Sequence, residues 1–190
     1  MAWTTLNVTL TGDAPLICHN CRLADPCNKI TRAMKQLSSK RKKVDADFEA
    51  LAKLEFYGGL YMGAGGPIIP GVMIEAAIRE GAKKTKEGKV AQSSVFVPTD
   101  SPLIYEGPKT TEGLWADERF RNVAIVNVQR SRIVRTRPMF TEWSILAGIN
   151  FEDSLVTQEK VLGWLTTAGL QCGIGDWRPR YGRFTASLNA

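Results

Sequence analysis

His19 is the only histidine in 190 residues. The carboxylates are scattered, and no motif sets a nucleophile beside a base. Acid–base and nucleophilic catalysis need such groups brought together, so a binding protein rather than an enzyme is expected. Long apolar runs are missing as well. None approaches the roughly 18 residues of a membrane span. Met1-Ala2-Trp3-Thr4-Thr5 lacks the basic region and apolar core of a signal peptide. No membrane partner is expected, and the location expected is cytoplasmic. Cysteine is sparse, at four residues, which in a reducing compartment are expected to be thiols. The glycine-rich run Tyr57–Pro67 has no closing Gly-Lys-Ser/Thr, and Gly63-x-Gly65 lacks the third glycine of a dinucleotide fingerprint. That run reads as a hairpin or turn, and no cofactor is expected.

Positive charge is in excess. The formal net charge is +6, with 44% hydrophobic and 23% charged residues. The apolar fraction is enough for a globular core, and the length suits one domain, 1–190, with insertions around 29–55 and 83–118. A basic balance favours an anionic partner, although charge alone also fits a merely basic protein.

Four segments carry the candidate basic residues. The last quarter of the chain reads as strand 140–149, helix 157–168, loop 169–183 and strand 184–188. Its loop holds Gly173, Gly175, Trp177, Arg178, Arg180, Tyr181 and Arg183. Glycines let backbone N–H groups approach phosphate oxygens, arginines supply the charge, and Trp177 and Tyr181 offer faces for stacking. The other reading of Trp177 is a core anchor, and its packing with neighbouring guanidinium groups could serve structure alone. A second segment, 122–137, reads as one long strand that ends in Arg130, Arg132, Arg135 and Arg137. Alternation puts the first two arginines on one face and the last two on the other. Such a strand end can follow a sugar-phosphate chain, or it can be a charged, protected sheet edge. Lys40, Arg41, Lys42 and Lys43 form a third run, between two helical patterns within 29–54. Lys83 and Lys84 open a fourth, a glycine-containing connector that continues through Lys86 and Lys89. Solvated surface is the competing reading for both.

Elsewhere Trp3–Leu10 alternates as a half-buried strand, with an apolar extended return at 14–20. Pro70 opens a helix with Ile74, Ala77 and Ile78 on one side, ending at Gly81. Segment 94–106 reads as strand with irregular joints and 107–118 as loop. Cys18, His19, Cys21 and Cys27 fall within ten residues. Cys18 and Cys21 have the spacing of half a zinc site, but no second pair follows. Buried thiols with a locally bonded His19 are the alternative to a metal site.

Ile69-Pro70-Gly71-x-x-Ile74-x-x-Ala77-Ile78-Arg79 and the terminal stretch from Gly173-Ile174-Gly175 to Tyr181-Gly182-Arg183-Phe184 resemble motifs of the RAMP superfamily of CRISPR-associated proteins. The resemblance is specifically to the backbone subunit that polymerises along guide RNA. It implies an α+β fold: a ferredoxin-like (RNA-recognition-motif-like) βαββαβ core with an antiparallel sheet, plus inserted helical and loop segments. It also implies that the terminal loop touches RNA. The chain is similar, too, to small phage-encoded proteins related to that family by fold, so a bacterial or phage-infected host cell is the implied setting. Some relatives cleave RNA with an aspartate after the first strand. Asp13 and Asp25 lie in comparable places, each without an evident metal partner or base.

Three classes follow. One is an RNA-binding subunit that self-assembles into a homo-oligomer or filament along the strand, alone or with CRISPR-complex subunits. Another is a phage protein that binds or anneals single-stranded DNA. The third is a backbone-subunit mimic that inhibits a host CRISPR complex through protein contact.

Overall fold

The computed structural model describes residues 2–128 and 131–189. In chain order its strands and helices are β1 (Trp3–Gly12), β2 (Leu16–Ile17), α1 (Lys29–Ser38), α2 (Asp45–Gly59), β3 (Met62–Gly63), β4 (Gly66–Ile69), α3 (Gly71–Lys83), α4 (Gly88–Ser94), β5 (Val95–Phe96), β6 (Ser101–Pro102), α5 (Thr111–Ala116), β7 (Arg121–Val128), β8 (Ser131–Phe140), β9 (Ser144–Glu152), α6 (Gln158–Thr167) and β10 (Phe184–Leu188). The chain packs as two units. One comprises residues 1–16, 62–106 and 141–190, and the other 17–61 and 107–140. The expected insertion around 29–55 falls in the second unit. The one around 83–118 is divided between the two.

The first unit is an α+β layer. Its four-stranded sheet has the order β10-β1-β9-β5, with every pair antiparallel. Taken along the chain, β1-α3-β5-β9-α6-β10 is a βαββαβ, ferredoxin-like arrangement. The period of two in β1 sets the faces. Leu6, Val8 and Leu10 are buried with Ile145, Ala147 and Ile149 of β9, which stand opposite them in register. The other face is polar and uncharged over most of its length. Thr5 donates to Asn150 there at 2.9 Å, and Trp3 meets Phe96 edge-on at 5.0 Å.

Helix α3 buries the side expected of it: Ile74, Ala77 and Ile78 are in the core, and Val72 is exposed. Asp100 accepts the Gly71 N–H at 3.0 Å, and Glu75 accepts the Val97 N–H at 2.8 Å, tying the helix to the segment after β5. The helix does not stop at Gly81 but runs to Lys83. Gly81 is a packing residue: a Cβ there would overlap the Trp164 carbonyl oxygen and come within 2.9 Å of Ala168 N on the facing helix. The connector expected after it contains a helix of its own, α4.

The second unit holds a three-stranded sheet, β2-β8-β7, with α1, α2 and α5. The single strand expected over 122–137 is instead the hairpin β7-β8, paired antiparallel from Arg121–Pro138 to Val128–Ser131. Segment 107–118, expected as loop, contains α5, whose first turn is capped by Thr110 accepting the Gly113 N–H at 3.1 Å. Phe56, Leu60, Leu114, Phe120 and Phe140 form the core. Trp115 meets Phe56 edge-on at 5.4 Å, and the Arg121 guanidinium lies 4.9 Å from its ring.

Candidate nucleic-acid interface

Loop 173–183 of the first unit is fixed at its base and open at its tip. Ile174 is buried, its N–H donating to Gly182 O at 2.8 Å, and Gly182 N donates to Pro15 O at 2.8 Å. Gly173 N donates back to Ala168 O at 2.8 Å, closing the helical turn that follows α6. Gly173 and Gly182 have φ of 72° and 70°, where a side chain would be strained. A Cβ on Gly182 would overlap the Ile174 carbonyl. These glycines therefore build the neck of the loop.

Arg178, Arg180 and Arg183 are exposed on that loop. Trp177 and Tyr181 are half-buried, with ring centroids 6.0 Å apart, and the Arg180 guanidinium lies 5.9 Å from the Tyr181 ring. Trp177 has φ 55°, and its carbonyl accepts the Tyr181 N–H at 3.2 Å. A cleft of about 570 Å³ lies beside it, lined on one side by Gly175, Asp176, Trp177 and Arg178 and on the other by Glu80 and Lys84 of α3. The Glu80 carboxyl is held below its ordinary range, chiefly by its 2.6 Å hydrogen bond from Lys83 and with help from the charges of Arg178 and Arg79. The cleft thus carries both signs: cations for phosphate oxygens, and carboxylates able to accept from base amino groups.

The second unit holds the remaining basic candidates. Arg132 is exposed on β8. Arg135 reaches inward, its Nη1 3.0 Å from the Glu55 carboxylate, which also accepts the Thr136 N–H at 2.9 Å. The Nε and Nη1 atoms of Arg137 are shut off from solvent. Arg130 lies outside the described residues. Arg41 and Lys42 are exposed, Lys43 donates to Lys40 O at 3.0 Å, and Lys40 pairs with Asp47 at 2.6 Å. Lys83 and Lys84 belong to the first unit, at the end of α3, where Lys84 faces the cleft.

The cysteine-rich stretch has a structural use in the second unit. Asn20 donates to Leu60 O at 3.0 Å, and Arg22 donates to Gly58 O at 2.9 Å and Tyr57 O at 2.6 Å. These satisfy carbonyls left open at the end of α2. Cys18 is buried, while Cys21 and Cys27 are exposed. Among the described residues no three His, Cys, Asp or Glu side chains gather as a metal site would require. Asp13 accepts from Thr185 Oγ1 at 2.9 Å, and Asp25 accepts from Cys27 N at 2.8 Å. No helix is long and apolar enough to cross a membrane among the described residues.

Sequence reasoning missed Glu80 and Asp176 in the cleft, and Glu55 as the partner of Arg135. For Glu80 a signal exists: Glu80 and Lys84 stand four apart at the end of a helix, on one face. The other two pairings are tertiary.

No protein-family model matches the chain, and no curated protein does so. Among solved structures, the crystal structure of Cmr6 from Pyrococcus furiosus is similar over 98% of this chain and 100% of its own, with a TM-score of 0.47 and 13% sequence identity.

Proposed function

We propose that the protein binds single-stranded nucleic acid through loop 173–183 and the cleft beside it. One observation carries the reading: three exposed arginines and a half-buried aromatic pair share a loop whose neck is pinned by backbone hydrogen bonds. A single strand needs cations along its phosphates and ring faces for its bases. Arg178, Arg180 and Arg183 supply the first, and Trp177 and Tyr181 the second. Glu80 and Asp176 line the cleft where a base laid on Trp177 would present its amino edge. The loop is held before the strand arrives, so less ordering opposes binding.

RNA is the strand proposed, on the resemblance of the Pro70-Gly71 helix and the terminal loop to the RAMP backbone subunits. The same resemblance supports assembly of copies along the strand. The role proposed is binding, without catalysis.

The test is fluorescence anisotropy of labelled single-stranded RNA and DNA over a salt series, for the unmutated protein and for Arg178→Ala/Arg180→Ala/Arg183→Ala. On single strands each phosphate contact contributes about 0.7 to the slope of log affinity against log salt. Losing three should flatten the slope by about 2. Tighter binding of RNA than of a matched DNA is expected through the 2′-hydroxyl. Equal affinities would assign the DNA-binding class, and no binding at low salt would refute the reading. Light scattering with and without strand tests assembly.

A further inference from the structure

The last turn of α3 has two lined sides. Glu80 and Lys84 face the cleft already described. Arg79 and Lys83 face a separate groove of about 310 Å³, completed by Lys86, Gly88, Lys89 and Gln92. Four cations line that groove and no carboxylate does. The acids nearby are engaged: Glu80 pairs with Lys83, and Glu87 accepts from Trp164 Nε1 at 2.9 Å and Thr85 Oγ1 at 2.9 Å and pairs with Lys160. Among the described residues no carboxylate pairs with Arg79, Lys86 or Lys89.

Three further observations set this groove apart from a merely basic surface. The Arg79 Nε is shut off from solvent and meets no hydrogen-bond acceptor, although a buried guanidinium nitrogen normally finds one. Lys86 has φ 64°, closing the end of α3 in the left-handed conformation that glycine usually takes there. The Glu87 N–H bonds to Ala82 O at 2.9 Å across that turn. A lysine therefore occupies a glycine position, at some strain, and its side chain lines the groove. Gly88 keeps the wall close: a Cβ there would come within 2.6 Å of Lys83 Cγ.

We propose that this groove binds a compact, multiply charged phosphoryl group, such as the terminal phosphates of a nucleic-acid strand or of a free nucleotide. Arg79 offers its terminal guanidinium N–H groups to phosphate oxygens, and Lys86 and Lys89 offer point charges that one phosphoryl group would neutralise together. The groove is distinct from the arginine loop, and the inference stands without strand binding there.

The test uses inorganic tripolyphosphate as probe, by titration calorimetry at low ionic strength. The unmutated protein should bind it. Lys86→Gly and Arg79→Gln should each weaken binding by about tenfold, the size expected for one charge-assisted contact. Lys86→Gly restores the residue that the backbone prefers, so its melting temperature should hold or rise while binding falls. A merely structural role for Lys86 would not produce that pair of results. No binding by the unmutated protein, or binding indifferent to both substitutions, overturns the proposal. Competition then distinguishes the sources, both within the proposal. A 5′-triphosphorylated oligonucleotide that outcompetes its 5′-hydroxyl counterpart assigns a strand end. A nucleoside triphosphate of equal potency assigns a free nucleotide. Tripolyphosphate binding that survives Arg178→Ala/Arg180→Ala/Arg183→Ala, in a protein that binds no oligonucleotide, would refute the strand reading alone.

Discussion

Substituting Gly81 by alanine sets two effects of known sign against each other. In a solvent-exposed helix, alanine is better than glycine by about 1 kcal/mol, because glycine gives up more backbone freedom on folding. Gly81 is buried in α3, and its missing Cβ is what lets α6 approach. The new methyl would overlap the Trp164 carbonyl oxygen and lie 2.9 Å from Ala168 N and 3.1 Å from Ala168 Cβ. Comfortable carbon contacts begin at ~3.5 Å. All but one of these obstacles are backbone atoms, which cannot rotate away. The two helices must part, loosening Ile78 and Leu165, both fully buried. Overpacking of this kind costs about 1–3 kcal/mol and occasionally more, with rigid obstacles toward the upper end. Set against the propensity gain, Gly81→Ala should destabilise the first unit by about 2 kcal/mol. Gly163 supplies the control. It lies in α6 itself, exposed, with nothing within 4 Å of a built Cβ. Gly163→Ala should therefore stabilise by about 0.5–1 kcal/mol. Urea unfolding followed by tryptophan emission reads both, since Trp3, Trp143, Trp164 and Trp177 are in the first unit and only Trp115 is in the second. A lowered midpoint at unchanged slope is expected for Gly81→Ala. If it shifts the midpoint upward like Gly163→Ala, the α3–α6 packing described here is wrong, and so is the placing of the cleft and groove on that helix.

Glu87→Gln tests the acid limb of stability. Hydrogen bonds from Lys160, then Trp164, then Thr85 hold the Glu87 carboxyl at about 2, below its ordinary 4.5. A carboxyl depressed in the folded state stabilises above its unfolded value and loses that contribution as pH falls toward its folded one. The midpoint gap between Glu87→Gln and the unmutated protein should be full at pH 6 and close between about pH 4.5 and 2, and a gap that widens on acidification would contradict the geometry. In the second unit, Glu55→Ala should destabilise by about 2–4 kcal/mol, because it strands the Thr136 N–H and the one-third-exposed Arg135. Glu55→Gln, which keeps an acceptor for Thr136, should lose about half of that, with urea midpoints as the readout. Arg135→Ala should lower stability while leaving the salt slope of strand binding within about 0.7 of the unmutated value, and a larger flattening would make Arg135 a phosphate contact.

Much of the first unit was legible because its signals are periodic and local. The alternation of Leu6, Val8 and Leu10 and the i, i+3, i+4 spacing of Ile74, Ala77 and Ile78 each follow from faces that must be buried. Predicted elements went astray where one residue type has two uses. Glycine ends helices and also lets them touch, and Gly81 does the second. The sequence between Val128 and Ser131 has no glycine, proline or asparagine, so two strands read as one. Gly107 and Pro108 suggested a loop and masked α5, although Thr110 offers a cap.

The candidate site divides along the same line. The exposure of Arg178, Arg180 and Arg183 is legible, because a glycine- and proline-studded loop has no apolar face to bury. The bond from Arg135 to Glu55 spans 80 residues, and Arg135 looks in sequence like its exposed neighbour Arg132. Composition counts cations, but only the fold shows which of them already have an anion. By that measure some basic groups are spent within the protein, Arg135 and Lys40 among them, and others are left for something else. Those left include Arg178, Arg180 and Arg183 on the loop and Arg79, Lys86 and Lys89 beside α3. Both sets lie in the first unit, next to the two sides of one helical turn whose central carboxylate, Glu80, takes Lys83 out of the count. A charge at Glu80 therefore sets how strongly each side attracts an anion. Glu80→Gln frees Lys83 and removes a negative charge from the cleft and from beside the groove, while its amide oxygen can still accept from a base amino group. It should tighten oligonucleotide and tripolyphosphate binding alike, each by about threefold to tenfold in low salt. Tightening at one ligand only would show that Glu80 belongs to a single site, and weakening at both would mean that its carboxylate binds rather than repels.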